Sequence, residues 1–484
     1  MTEIRLRDAL TPILSKFPMV ERPGWHVHFK AKLGWTVAIL VLFFALGNVP
    51  LFGLGPDSLD LFGRWRAIFA GERFSLTALG IMPIVDASIV LQLLVGSGII
   101  KLNLSDPKDQ AFYQNIQKLL VVVFAVFISL TYVVGFYKPN PEIATQLGVS
   151  LQFISLMLFI QVFLGGMLIY FMDEVVSKWG IGSGVSLFII AGVSQAIITG
   201  LISPIRVGGW AVGVIPRWIQ IAGQVPAYEI LEGGIIFLFE NYMIALISTI
   251  AVFFFVVYLE STRVEIPLAH SMARGARGRF PIKLLYASVL PMILVRALQA
   301  SIQGFGRMLY TRGITIFGTY DEAGTAISGL MYYLDPIYSP WDWFPGLMAV
   351  PHAGWQVATR LTIDLSFMVI GGAIFALFWI NTTGMGSKDV ASQIHRSGMQ
   401  IPGHRRSPAT VERLMEGYIP KIALMGGAIL GVMCVVSNMF GTLGQASGTG
   451  LLLAVSIAYR LYEDVASEQM MEMFPAMRRF FGEG

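Results

Sequence analysis

The stretch LGIMPIVDASIVLQLLVGSGII, residues 79–100, decides how the rest of the chain is read. It is long and apolar enough to belong to a membrane span, yet it carries a proline (Pro83), a carboxylate (Asp86) and an amide (Gln92). Polar groups at such depth face protein or water, not lipid. Ile81 and Val85 sit one helical turn apart and share a face, as do Val185 and Ile189 further along. A rim of branched aliphatic side chains cannot replace an ion's hydration shell, so it blocks ions by dewetting. The same residues also suit plain helix packing.

Outward from this stretch the chain repeats the pattern. Apolar runs on the scale of a span, roughly 17–25 residues, occur at about 33–51, 75–100, 117–136, 151–172 and 185–202. A second set follows at 241–259, 284–302, 362–380, 421–439 and a shorter 450–462. Of the 484 residues, 55% are hydrophobic and only 13% charged, with a mean hydropathy of +0.67. A soluble chain of this length needs roughly a quarter of its residues charged, so the surface faces something apolar. Unbroken apolar runs fit helices, not alternating barrel strands. An even number of spans puts both ends on one side. With that side cytoplasmic, inner segments hold 24 lysines and arginines against 8 outside, which favours cytoplasmic termini. The first thirty residues lack a cleavable-leader pattern and read as a polar, partly amphipathic arm (1–32).

Ten spans divide into halves of five, 33–202 and 241–463, joined by an outer connection at 203–240. An odd number per half inverts the second relative to the first. The second member of each half carries a proline in similar surroundings, LGIMPIVDAS around Pro83 and ASVLPMILVR around Pro291. Interrupted helices at matching places point to a pathway. The stretch SLDLFGRWRAIFA (58–70), with Leu59, Leu61, Phe62, Trp65 and Ile68, is amphipathic at helical spacing but too short and charged to cross. It reads either as a helix on the outer surface or as a re-entrant helix in a protein-lined cavity. The outer segment 304–358, with its run YYLDPIYSPWDWF, reads as a cap or an interfacial belt. Residues 464–484 form a cytoplasmic tail.

Little in the chain supports catalysis. The single cysteine, Cys434, permits no intramolecular disulfide. All six histidines fall in loops or at span ends, and no metal-ligand or nucleophile–base constellation lies at depth, so no cofactor is predicted. The few deep ionisable residues are Asp86, Arg296 and Asp364, the last one turn from Arg360, with which it is expected to pair. A coupled transporter would carry more acidic groups near midplane. A facilitator for a small solute, an insertase and an intramembrane enzyme remain the rival readings.

Residues 79–100, with Pro83 and Gln92, closely resemble the first signature of the SecY family, and EVVSKWGIGSGVSLFI (174–189) resembles the second. The likeness extends through residues 284–303, GTGLLLAVSIAYRLYE (448–463) and both large inner loops, 262–283 and 382–420, and its flavour is archaeal. It implies an all-α membrane fold of two inverted five-helix halves around an hourglass pore, with a plug at about 58–70. The side gate would lie between the second/third and seventh/eighth spans. Ile81, Val85, Val185, Ile189, Ile293 and Leu453 match the family's constriction ring. The resemblance implies a protein-conducting channel that passes unfolded polypeptides and releases signal sequences and transmembrane segments sideways into the lipid bilayer. Its partners would be SecE-like and SecG/beta-like single-span subunits, the ribosome and the nascent chain, and its site the cell membrane.

At the gate the chain departs from that pattern. Asp86 stands where a small hydroxyl residue is common, Arg296 where a small apolar one is, and Ser301 where asparagine is. Two opposite charges on facing helices raise the expectation that Asp86 pairs with Arg296, against the plainer reading that each faces pore water. On the inner loops, TRVEIPLAHSMARGARGRFPIK (262–283) reads as two strands joined by a glycine-rich tip bearing Arg274, Arg277 and Arg279. The second loop, IPGHRRSPATVERL (401–414), carries Arg405 and Arg406. These arginines serve topology retention or phosphate contact; the resemblance implies ribosome docking.

Overall fold

The computed structural model describes residues 20–25, 27–60, 63, 66–100, 102, 107–270, 277–285, 290–321, 324–348, 350–396, 399–400, 408–444 and 446–473. Ten long helices occupy the ten expected places: α1 (Phe29–Gly47), α2 (Met82–Gly96), α3 (Pro107–Gly135), α4 (Leu151–Trp179), α5 (Gly184–Ile202), α6 (Met243–Ser261), α7 (Leu290–Thr311), α8 (Gly354–Thr382), α9 (Pro408–Phe440) and α10 (Gly448–Met473). Among the described residues, seven are long and apolar enough to cross a membrane unaided. The three that fall short are α2, which is apolar but only 15 residues long, and α7 and α10, which are less apolar. Their central residues are almost wholly enclosed by other helices, so they are not held to the composition that lipid demands.

The two halves meet where α2 packs on α7 and α8, and where α5 packs on α10. Elsewhere close approach rests on glycine. On the α8–α9 contact, a Cβ at Gly427 would come within 2.5 Å of the Gly372 carbonyl oxygen, and one at Gly431 within 2.5 Å of that of Met368. Gly427 and Gly431 are four residues apart on one face, the spacing by which membrane helices bring backbones together. The α4–α5 turn is fixed by Asp173, whose Oδ1 accepts the Val185 N–H at 2.9 Å and so caps the start of α5.

Several boundaries differ from the sequence reading. The second span is helical only from Met82, because residues 71–81 enter as turns whose polar groups bond locally, as Ser75 and Thr77 do at 3.0 Å. Pro83 therefore interrupts nothing: it is the second residue of its helix, where the missing N–H costs no helical bond, whereas Pro291 follows Leu290, the first described residue of α7. Pro420 in α9 is the internal proline among the described spans. The tail expected from residue 464 begins as ten more residues of α10.

Both inner loops are ordered into one unit. Strands β1 (Arg206–Val207) and β2 (Trp210–Ala211) form a small outer hairpin, whereas β3 (Arg263–His270) and β4 (Arg277–Lys283) pair antiparallel, from Arg263 opposite Lys283 to Ala269 opposite Arg277. The second loop adds β5 (Met399–Gln400) to the free edge of β3. A helix at Ser387–Arg396 buries Val390, Ala391 and Ile394 against Val411, Met415 and Ile419 of α9. The base of the β3–β4 hairpin is clamped to α10: Glu463 pairs with Lys283 at 2.5 Å and with Arg263 at 3.6 Å. One and two turns further, Glu468 meets Lys32 at 2.6 Å and Glu472 meets His28 at 3.4 Å.

Candidate functional site

The six residues expected to form a ring come from four helices and converge at the centre. Val85 from α2, Val185 from α5 and Ile293 from α7 line a cavity of about 270 Å³ on the side of the α4–α5 turn, with Asp173 and Ser183. Ile81 at the cap of α2, Ile189 on α5 and Leu453 on α10 lie beyond them, none with measurable exposure. Ile81, Val85, Ile189, Ile293 and Leu453 belong to one apolar cluster with Val185 packed against it. On the outer side two cavities of about 570 and 460 Å³ open beside the plug segment. Three of the six residues thus line one cavity and the other three are enclosed in the same apolar core.

The plug segment sits inside the protein and not on its surface. Its described helix is the single turn Arg66–Phe69, shorter than the 58–70 expected; Leu61, Phe62 and Trp65 lie outside the described residues. The turn packs on α5 and α10, with Ile68, Phe69 and Ala70 all buried. Leu59 is half-buried against the core, and its N–H donates to the Phe136 carbonyl at 3.0 Å. Arg307 of α7 donates to the Asp60 carbonyl at 3.1 Å, and the Asp60 carboxylate pairs with Arg66. Burial pushes the Glu72 carboxyl above its ordinary range, and Arg66 beside it pulls it part of the way back.

The seat is a backbone contact. The Ile81 N–H donates to the Phe69 carbonyl at 2.8 Å. A Cβ at Gly80, whose φ is +54°, would overlap that same carbonyl oxygen. Ala70 and Phe74 also hold positive φ without being glycine, which costs of order 1–3 kcal/mol each. Gly80→Ala is expected to unseat the plug. A cysteine placed at Ile68 should then react with a small outer-side thiol reagent far faster than in the parent, and unchanged protection would contradict this seat.

At the gate the expected Asp86–Arg296 pair is absent. Arg296 and Ser301 are five residues apart on α7, about 140° around the axis, so they cannot both face α2. Ser301 takes that face, near Asp86. Arg296, wholly enclosed, turns to α8 and pairs with Asp364 at 2.9 Å, while its Nη1 also reaches the Gln299 Oε1 at 2.7 Å. Asp364 accepts further bonds from Gln299 at 3.2 Å and the Ile337 N–H at 3.3 Å. It is therefore not the partner of Arg360, which instead pairs with Asp335 of the outer segment at 2.8 Å. Gln92 lines the cytoplasmic cavity beside Tyr113 and Gln117, and its Oε1 has no hydrogen-bond partner among the described residues.

The sequence held a missed signal for this network. Arg296, Gln299, Gln303 and Arg307 recur at spacings of three and four, one polar stripe along α7. The stripe meets Asp364 and the outer segment, where Gln303 donates to the Met331 carbonyl at 2.9 Å. Tyr320, Ala326, Met331 and Tyr332 form a small core of their own there, so that segment is a cap. On the inner face Arg277 and Arg279 fall on β4; Arg274, Arg405 and Arg406 lie outside the described residues.

Residues 75–462 match the SecY family model, and residues 41–73 match the plug domain of Sec61p. The chain belongs to the SecY family. The protein translocase subunit SecY of Archaeoglobus fulgidus is 54% identical across 98% of both chains, and that of Haloferax volcanii is 51% identical across 98% and 99%. A solved structure of a protein-conducting channel superposes with a TM-score of 0.81 at 38% identity, over 96% of this chain and 99% of the other. Sec61 in a canine ribosome–channel complex from the endoplasmic reticulum gives 0.77 at 38%, with the same coverage. This SecY-family chain is thus a multi-pass membrane protein of two inverted halves around an hourglass, and its plug match ends at Arg73, beside the buried turn.

Proposed function

We propose that this chain is the central, pore-forming subunit of a Sec protein-conducting channel in its closed state. It passes unfolded polypeptides through the constriction of Ile81, Val85, Val185, Ile189, Ile293 and Leu453. The observation that carries this is the enclosed aliphatic contact between an inner cavity and two outer ones, with a buried plug turn beside it. Aliphatic rims suit any sequence in transit, because they offer no charge or hydrogen bond to hold it. An apolar signal sequence or transmembrane segment leaves sideways between α2/α3 and α7/α8, by the hydrophobic effect alone. At that seam Asp86 of α2 lies near Ser301 of α7, and Gln92 stands with its carbonyl oxygen unpartnered among the described residues.

The chain acts as a channel and not a catalyst, and no step needs covalent chemistry. A facilitator for a small solute is not favoured, because the deep charges Arg296 and Asp364 neutralise each other and leave no vacant binding pair. The β3–β4 tip, with Arg274, Arg277 and Arg279, and the second loop, with Arg405 and Arg406, are proposed to dock the ribosome through phosphate contacts. SecE-like and SecG/beta-like single-span subunits complete the assembly in the cell membrane, both termini cytoplasmic as the lysine and arginine bias requires. The test is photocrosslinking from Val85 and Ile189 to a ribosome-held secretory chain. Adducts are expected from both positions during translocation, and none from either would defeat the channel reading.

A further inference from the structure

The connection between the halves carries an apolar face that nothing in the fold covers. After α5 the chain makes the β1–β2 hairpin, a helix at Val214–Gln224 and a second helix at Ala227–Glu240 that bends at Gly234. One side is pinned inward. Val214 and Ile221 are buried, Arg217 Nε donates to the Asn241 Oδ1 at 2.9 Å, and Trp218 Nε1 donates to the Asn241 carbonyl at 2.9 Å. The opposite side is bare hydrocarbon. Ile219 is 69% exposed, one turn from exposed Ile215; Tyr228 and Leu231 follow at helical spacing, Leu231 at 81%. Glu229 lies well off that line, about 160° around the axis from Leu231, and Glu232, one turn from Tyr228 and about 100° from Leu231, marks its polar edge.

We infer that this connection lies flat on the outer leaflet, with Ile215, Ile219, Tyr228 and Leu231 dipped among the lipid chains, so that the hinge between the halves rests on the bilayer surface. Continuity selects lipid over another occupant. Ile198 and Ile202 at the outer end of α5 are each 55% exposed and face hydrocarbon, and exposed Ile205 follows within a few residues. Beyond the connection, Ile247 and Ile250 on α6 resume the same surface. An apolar patch joined at both ends to the lipid-facing belt, with a carboxylate at its edge and another on the far side, is the pattern of an interfacial helix. The inference rests on the membrane-spanning reading and is independent of what the channel carries.

The test uses the full chain, with Cys434→Ser, in vesicles of phosphatidylcholine and phosphatidylglycerol. An environment-sensitive fluorophore is attached at Ile219→Cys or Leu231→Cys, with Ile198→Cys as the lipid reference and Arg312→Cys as the water reference. Shallow nitroxide-labelled phospholipid is expected to quench labels at 219 and 231 several-fold more than at 312, while aqueous iodide quenches them several-fold less. Equal iodide quenching at 219, 231 and 312 would overturn the inference. Protection from iodide without lipid quenching would overturn it too, by placing a second copy or another protein on the face. Failure of the reference at 198 to meet lipid would instead strike the spanning reading itself.

Discussion

Asp364→Ala is expected to cost this protein about 3–5 kcal/mol of stability, because it strands the Arg296 guanidinium, without exposure, inside the α7–α8 interface. Arg296 would keep only its bond to Gln299, and the Ile337 N–H and Gln299 Nε2 would each lose an acceptor. Asp364→Leu combined with Arg296→Met should recover most of the loss, since an apolar pair of similar volume replaces a buried ion pair at little cost. Detergent-titrated unfolding of the two singles and the double measures the coupling. Strictly additive losses would mean that the two charges do not act together. The pair also bears on gating: α7, α8 and the outer cap are bound by one polar network, so a gate at the α2–α7 face opens with α7 and α8 moving together.

The second large effect is expected at the constriction. Ile189→Asn places an amide in the enclosed apolar core that holds Ile81, Val85 and Leu453. Burying an isoleucine is worth about 1.5–3 kcal/mol, and losing that preference for dryness should raise ion leakage about ten- to a hundredfold. Conductance of planar bilayers holding the purified complex reads this directly. Ile189→Leu, which keeps the rim aliphatic, should leave the leak near the parent's. A leak unchanged by asparagine would place the seal elsewhere in the chain, with the plug as the first candidate.

Much of the architecture was legible from hydropathy, because lipid enforces it. The seven helices long and apolar enough to cross a membrane announce themselves by composition. The enclosed helices were harder. Asp364 was assigned to Arg360 because helical spacing favours that pair, whereas the cap delivers Asp335 to Arg360 and frees Asp364 for Arg296. No local rule foresees a partner 68 residues away. Pro83 does not break its helix but begins it, because the chain before Met82 enters as turns. The helix at Ser387–Arg396 and the strand at Met399–Gln400 escaped notice because each gains its partner only when the two inner loops meet.

The clamp between Glu463 and the hairpin base has a mechanical consequence. Leu453 and Glu463 ride on the same helix, ten residues or about 15 Å apart. A load applied to the hairpin is therefore borne by a rod whose far end forms part of the seal. Lys32 and His28 brace that rod against α1, so it pivots more readily than it slides. Whatever seats itself on the inner face thus holds a lever on the narrowest point of the passage, with no signal carried through the lipid.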